Sequence, residues 1–277
     1  MLTSFFFGTS EFALPSLRVV AQQTRCLCVV TQPDRPSGRG QHLRPSPVKI
    51  EALALGLRVE TPTKLREFTA AFPDKVDIFA LASHGRILPQ AMLDFPRLGA
   101  LNVHPSLLPK YRGATPIQSS LMQGDTETGV SIMMMDAGMD TGDLVAQEHV
   151  FIEPTDDYGT LHDRLAVEGA RVLSQVIERA EHGPLLREAQ LGEPTLTRPL
   201  RKDDLLLLAD WSAQRKVNFV RALSPQPAAR AMLAGISVKV LRSHAENGEF
   251  VIDEIIAPNR GRMSASVFVA SQARASA

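Results

Sequence analysis

Cysteine is nearly missing from this chain: Cys26 and Cys28 are the two it has, one residue apart. Thiols so spaced give neither a disulfide framework nor the CxxC half of a metal site. On a strand they share a face, and two small buried thiols in a reducing compartment are expected. Net charge is missing too, with 30 Lys+Arg against 30 Asp+Glu. That balance excludes a uniformly basic protein and an acidic solvating one, and leaves open how the charges are distributed. No apolar run approaches the roughly 18–20 residues that cross a bilayer, and residues 1–7 carry no basic segment ahead of a cleavage site. No membrane partner and a cytoplasmic location are therefore expected. GxxxxGK, HExxH and GxSxG are also absent, which removes a phosphate loop, a zinc helix and a nucleophile elbow, and no metal is expected.

What is present is an ordinary globular composition, 44% hydrophobic and 22% charged over 277 residues, enough for about two domains. Apolar runs alternate with helical periodicity through the first half. Strands are expected over 2–7, 27–31, 76–81 and 100–103, with helices over 11–21, 48–57 and 88–95 between them. That alternation predicts a mostly parallel sheet covered by helices, an α/β domain of Rossmann-like type. A helix over 117–122 and two antiparallel strands over 129–135 and 145–152 follow. Residues 160–181 then form a long amphipathic helix that Gly183-Pro184 stops. A catalytic domain over 1–182 is thus expected, then a Pro- and Gly-broken linker over 183–205, then a small β-rich module over 206–277.

The chemistry concentrates in two stretches. Asn102 and His104 are two apart at the carboxyl end of an expected parallel strand, so both side chains leave one face where open α/β sheets place their sites. An amide can donate to a developing oxyanion, and an imidazole can donate or move a proton near neutral pH. Neither is a nucleophile, so the pair suits polarisation of a carbonyl by an enzyme whose substrate brings the nucleophile. The second stretch is Met135-Asp-Ala-Gly-Met-Asp-Thr-Gly-Asp143. It reads either as a turn with Asx-type bonding or as the source of an acid that orients the histidine, and spacing alone leaves open which acid.

Asn102-Val-His104-Pro-Ser106-Leu-Leu-Pro109, the following Tyr-Arg-Gly-Ala-Thr-Pro-Ile, and the Met135–Asp143 stretch together resemble the folate-dependent formyltransferases. Thr31-Gln-Pro-Asp-Arg-Pro-Ser-Gly-Arg39-Gly and Pro45-Ser-Pro-Val-Lys49 are similar to the tRNA-contacting loop of the members that formylate methionyl-tRNA. The resemblance implies a catalytic trio of Asn102, His104 and Asp140 and 10-formyltetrahydrofolate as formyl donor. It also implies folate contacts at Ile87, Leu88, Ser106, Leu107, Leu108, Pro109 and Asp136, and initiator methionyl-tRNA as acceptor, engaged by Arg35, Arg39, Arg44 and Lys49. A monomer is expected. His84 stands where the family commonly has tyrosine. The other readings carried forward are a formyltransferase acting on an amino-sugar nucleotide and a non-catalytic RNA- or folate-binding protein on the same scaffold.

The neutral total hides an uneven distribution. From residue 206 onward nine Lys+Arg face five acids, and 35–49 holds four cations and no acid. The resemblance makes the second domain an OB-like barrel, here shorter than usual, which would grip a tRNA backbone with those cations.

Overall fold

The apolar run near the start becomes an inner strand of a seven-stranded sheet in the computed structural model, which describes residues 1–37, 42–65, 68, 72 and 75–275. The chain begins β1 (Thr3–Gly8), a 3-10 turn, α1 (Leu14–Gln23), β2 (Arg25–Val30), a small hairpin of β3 (Arg35–Ser37) and β4 (His42–Arg44), and α2 (Pro47–Ala54). It continues with β5 (Val59–Glu60), β6 (Ile78–Ala82), α3 (Gln90–Leu93), β7 (Ala100–His104), the two-residue β8 (Arg112–Gly113), α4 (Pro116–Gln123), β9 (Glu127–Met134) and β10 (Leu144–Phe151). Last come α5 (Tyr158–His182), the two-residue β11 (Leu196–Thr197), α6 (Ala213–Leu223), β12 (Ala229–Leu233), β13 (Ile236–Glu246), β14 (Glu249–Ala257), β15 (Gly261–Ser264) and α7 (Ala265–Ala275).

Contacts divide the chain into two units. One comprises Met1–Arg112, Gly129–Val150 and Asp163–Leu196; the other comprises Gly113–Thr128, Phe151–His162 and Thr197–Ala277. In sequence, then, 113–128 and 151–162 are grouped with the C-terminal residues rather than with the rest of 1–182.

The first unit holds the sheet, in the order β10-β9-β7-β6-β1-β2-β5. The pairs β5–β2, β2–β1, β1–β6 and β6–β7 are parallel, and β9 pairs with β7 antiparallel. The order reverses direction between β1 and β6, and such a switch point is where open α/β sheets leave a crevice at their carboxyl ends. Alternation along each strand sorts the core. Phe5 and Phe7, Cys28 and Val30, Phe79 and Leu81, and Ala100 point to one face, where Leu88 and Met92 cover them. Phe5 stacks on Phe79 with ring centroids 5.4 Å apart, and Phe7 tilts against Phe79 at 4.8 Å, geometries that add to plain burial. Leu101 and Val103 of β7 are buried on the opposite face. There α5 comes close enough at Gly169 that an added Cβ would fall 2.6 Å from Val103 Cγ1.

Cys26 and Cys28 are free thiols, half-buried and buried respectively. Burial pushes Cys28 up to about 12, with Glu60 adding to the shift, so it packs as a small inert hydrophobe.

The second unit is built on a four-stranded antiparallel meander, β12-β13-β14-β15, extended by a single parallel bridge between Leu206 and Arg230. This antiparallel sheet lies where the small β-rich domain is expected. Its core joins Phe219, Val220 and Leu223 of α6 to Val238, Val240 and Ile255. Inside the module expected to be β-rich, residues 265–275 form a helix, α7. Ala265 and Phe268, three apart on one helical face, are both buried in that core. Trp211 lies edge-on to Phe219 with Arg215 over its ring at 4.4 Å. No described helix is long and apolar enough to cross a membrane.

Candidate active site

β7 puts its two faces to different uses. Leu101 and Val103 face α5, while Ala100, Asn102 and His104 continue the row that begins in the phenylalanine cluster on the other side of the sheet. The two-residue spacing thus becomes a shared face, as the sequence predicts. Asn102 is half-buried, and among the described residues its side-chain amide makes no hydrogen bond. It is a donor in reserve.

His104 is almost fully buried, and both ring nitrogens face protein oxygens. Nε2 lies 3.0 Å from the Tyr111 carbonyl oxygen, which can only accept, so Nε2 carries a proton. Nδ1 lies 3.6 Å from Asp140 Oδ2. That gap exceeds a direct hydrogen bond and suits one proton exchanged after a small closure or through one water. Burial pulls the His104 imidazole below its ordinary range, while Asp140 and the Tyr111 carbonyl oppose the fall. Burial dominates, so the resting ring is neutral with its lone pair on Nδ1.

The 135–143 loop uses both of the readings left open from sequence. Asp136 is exposed and accepts from Gly138 N at 3.0 Å and from Thr141 Oγ1 at 2.7 Å, which is the Asx-type turn. That turn carries Asp140 round to face the imidazole. Asp140 adopts φ 54 and Tyr111 φ 58, so both groups that face His104 sit on left-handed, non-glycine backbone.

The remaining residues expected on the folate side are placed unequally. Leu88 is buried in the phenylalanine cluster while Ile87 is 86% exposed. Ser106 and Leu108 are buried, with the Ser106 hydroxyl donating to the Lys110 carbonyl at 2.6 Å. Leu107 and Pro109 are half-buried. Ser131 and Gln147, not singled out from sequence, fix this segment. Ser131 Oγ donates to the Ser106 carbonyl at 2.6 Å and accepts from Leu108 N at 3.1 Å, and Gln147 Nε2 donates to the Leu108 carbonyl at 3.1 Å.

At the switch point Gly8 ends β1. A Cβ there would fall 2.7 Å from Phe6 Cε1 and 3.1 Å from the Ala82 carbonyl oxygen, so only glycine lets the β1 and β6 ends close up. Next to it sits His84, 5% exposed, its ring edge-on to Phe7 at 5.5 Å. Among the described residues neither of its ring nitrogens has a hydrogen-bond partner. Burial, with Arg86 adding to it, pushes this imidazole down to about 4. Thr9 Oγ1 and Gln32 Nε2 both donate to the His84 carbonyl, at 3.0 and 2.8 Å.

Of the basic residues, Arg35 and Arg44 lie directly opposite each other on β3 and β4, where like charges repel unless an anion lies between them. Arg44 is exposed, and the Arg35 guanidinium also donates to Gln32 Oε1. Lys49 holds both oxygens of Asp34 at 2.8 Å, so its charge is offset from just outside the acid-free window. Arg39 lies outside the described residues. Among the described residues no cluster of His, Cys, Asp and Glu could hold a metal ion.

Two further features escaped the sequence altogether. The Tyr111 carbonyl has no sequence signature because every residue has one. Gln190 lies in the stretch expected to be a linker, yet donates to the carbonyls of Asp140 and Gly142.

Residues 5–177 match the formyl transferase family. A methionyl-tRNA formyltransferase of Pelotomaculum thermopropionicum is 43% identical over 242 residues, 86% of this chain and 77% of that protein. One from Syntrophus aciditrophicus is 38% identical over 299 residues, 97% of this chain and 95% of that protein. The solved methionyl-tRNA formyltransferase of Clostridium thermocellum superposes with a TM-score of 0.62 over 93% of this chain and 100% of that one, at 14% identity, a likeness of fold alone. The chain belongs to the formyl transferase family, among the methionyl-tRNA formyltransferases.

Proposed function

We propose that this enzyme transfers a formyl group from 10-formyltetrahydrofolate to the α-amine of initiator methionyl-tRNA, giving N-formylmethionyl-tRNA. The observation that carries the reading is the set of three groups at the carboxyl end of β7: an Asn102 amide without a partner, and a buried His104 facing Asp140 at 3.6 Å. The folate supplies the formyl carbon as an activated amide. The residues at the switch point fit such a heterocycle, because a buried imidazole with two unpartnered nitrogens is a rare cost that a flat donor–acceptor ligand or its water removes. Ile87, Leu88, Ser106–Pro109 and Asp136 would line or shape that pocket.

Asn102 Nδ2 is the donor for the oxygen that gains charge as the amine adds to the formyl carbon. His104 keeps its Nε2 proton on the Tyr111 carbonyl, so the proton shed by the amine goes to Nδ1 and is shared with Asp140. The intermediate then collapses by breaking the bond from the formyl carbon to the folate N10, which takes that proton and leaves as tetrahydrofolate. Residues 1–182 would carry this chemistry, with 206–277 and the Arg35–Arg44 hairpin, Arg39 and Lys49 engaging the phosphate backbone of the acceptor.

The test is formyl transfer assayed with initiator methionyl-tRNA and with an amino-sugar nucleotide. Transfer to the tRNA is expected. Asn102→Ala should lower kcat by about 10²–10³ with little change in KM. Activity confined to the sugar nucleotide overturns the substrate, and parent-like kcat in the variant overturns the role of Asn102.

A further inference from the structure

His104 is held from two sides by two different loops, and one residue joins those loops. The Tyr111 carbonyl belongs to the segment after β7, and Asp140 to the turn between β9 and β10. Gln190 spans them. Its Nε2 donates to the Asp140 carbonyl at 2.9 Å and the Gly142 carbonyl at 2.8 Å, while its Oε1 accepts from Arg112 Nε at 3.1 Å and Nη2 at 2.7 Å. Both amide protons and both lone pairs are in use, which is the full capacity of the group.

The backbone around Gln190 makes the same connection. At one end Glu188 and Leu144 exchange hydrogen bonds at 2.7 and 2.9 Å, directly after the Asp140 turn. At the other end Thr195 Oγ1 accepts from Tyr111 N at 2.7 Å, and the Thr195 carbonyl accepts from Arg112 N at 2.8 Å. Segment 188–195 is thus a strap fastened to both partners of the histidine. Those partners need fastening. Left-handed backbone at a tyrosine and an aspartate is strained and persists only where the surroundings over-determine it.

We propose that Gln190 is a positioning residue for formyl transfer, setting the distance between Asp140 and His104 by tying the Asp140 turn to Arg112. It touches neither substrate in this account and acts through the pair. The inference rests on the reaction proposed above only for its kinetic readout. Its geometric content concerns His104 and Asp140 whatever the acceptor.

The experiment uses the full chain and two variants. Gln190→Leu keeps the size and removes all four hydrogen bonds; Gln190→Glu keeps an acceptor for Arg112 but cannot donate to the two carbonyls, and it serves where the leucine variant does not fold. For each, kcat and both KM values are measured against pH, and the ring nitrogens of His104 are followed by ¹⁵N NMR. Both variants should lose about 10–100-fold in kcat, the range for a displaced supporting group, with KM for each substrate within about twofold. The pH midpoint of kcat and the ¹⁵N titration of His104 should move together. Parent-like kcat and parent-like His104 titration in a folded variant overturn the inference, as does a loss confined to KM. A parent that does not formylate methionyl-tRNA overturns the reaction instead, and the NMR comparison then still decides the role of Gln190.

Discussion

Gly169 lies on the buried face of α5, and replacing it with alanine sets two effects against each other. In a helix interior the exchange gains about 1 kcal/mol from propensity alone. Against it, the new Cβ would fall 2.6 Å from Val103 Cγ1, about 1 Å inside the ~3.5–4.0 Å at which carbon atoms rest in contact. Val103 cannot turn away, because it is β-branched and 1% exposed within the sheet. Forcing a methyl into such a place costs about 1–3 kcal/mol. Since both sides of the contact belong to regular elements, we expect the upper half of that range and a net loss of about 1–2 kcal/mol. Val103 also stands between Asn102 and His104 on β7. A shift approaching 1 Å there should lower kcat by more than tenfold, since misplacement of that size can cost about 10²-fold. Urea unfolding followed by circular dichroism and steady-state formyl transfer on the same preparation measure both effects. An alanine variant as stable as the parent or more so, with parent kcat, refutes the reasoning.

Two further outcomes are expected. Burial, with Arg86, holds the His84 imidazole at about 4 against its ordinary 6.5, so between those values the unfolded chain takes up a proton that the folded one does not. The stability tied to this group is complete above pH 6.5 and is lost as the pH falls toward 4, about 3 kcal/mol across the window. His84→Phe should remove that part of the acid sensitivity, and equal steepness in parent and variant, measured as unfolding free energy against pH, contradicts it. Replacing Arg35 and Arg44 together by alanine should raise KM for tRNA and reduce the salt dependence of binding by up to about two in the log–log slope, sparing KM for the formyl donor. An unreduced slope removes the hairpin from tRNA contact.

The strands and the shared face of Asn102 and His104 were legible because they rest on short-range pattern. Alternation at 100–104 and the two-residue spacing of Asn102 and His104 survive into the structure unchanged. The 135–143 loop was half legible: its residue types announced both a turn and a reactive acid, but only coordinates show Asp136 closing the turn while Asp140 meets the imidazole. What stayed hidden was joined at long range. Gln190 reaches residues 48 to 78 positions away in the chain, and Pro and Gly around it read only as a break. Lys49 reads as one of four cations in an acid-free window, and only the fold brings Asp34, just outside that window, onto it. α7 is hidden within a module that reads as β-rich because its buried residues in the core, Ala265 and Phe268, look sparse until a sheet is present to receive them.

The two-sidedness of β7 has a consequence for how this enzyme can fail. If the strand paired one residue out of register, Asn102 and His104 would turn beneath α5 and Leu101 and Val103 would turn toward the crevice. Two polar groups would be sealed without partners and two aliphatic ones set free, so the misaligned chain would lose its core and its chemistry in the same step. Single-residue insertions or deletions just ahead of Ala100 should therefore give absent protein rather than folded, inert protein. The proposed reactive pair is proofread by the packing on its reverse side, because a correctly registered strand places both side chains on the face away from α5.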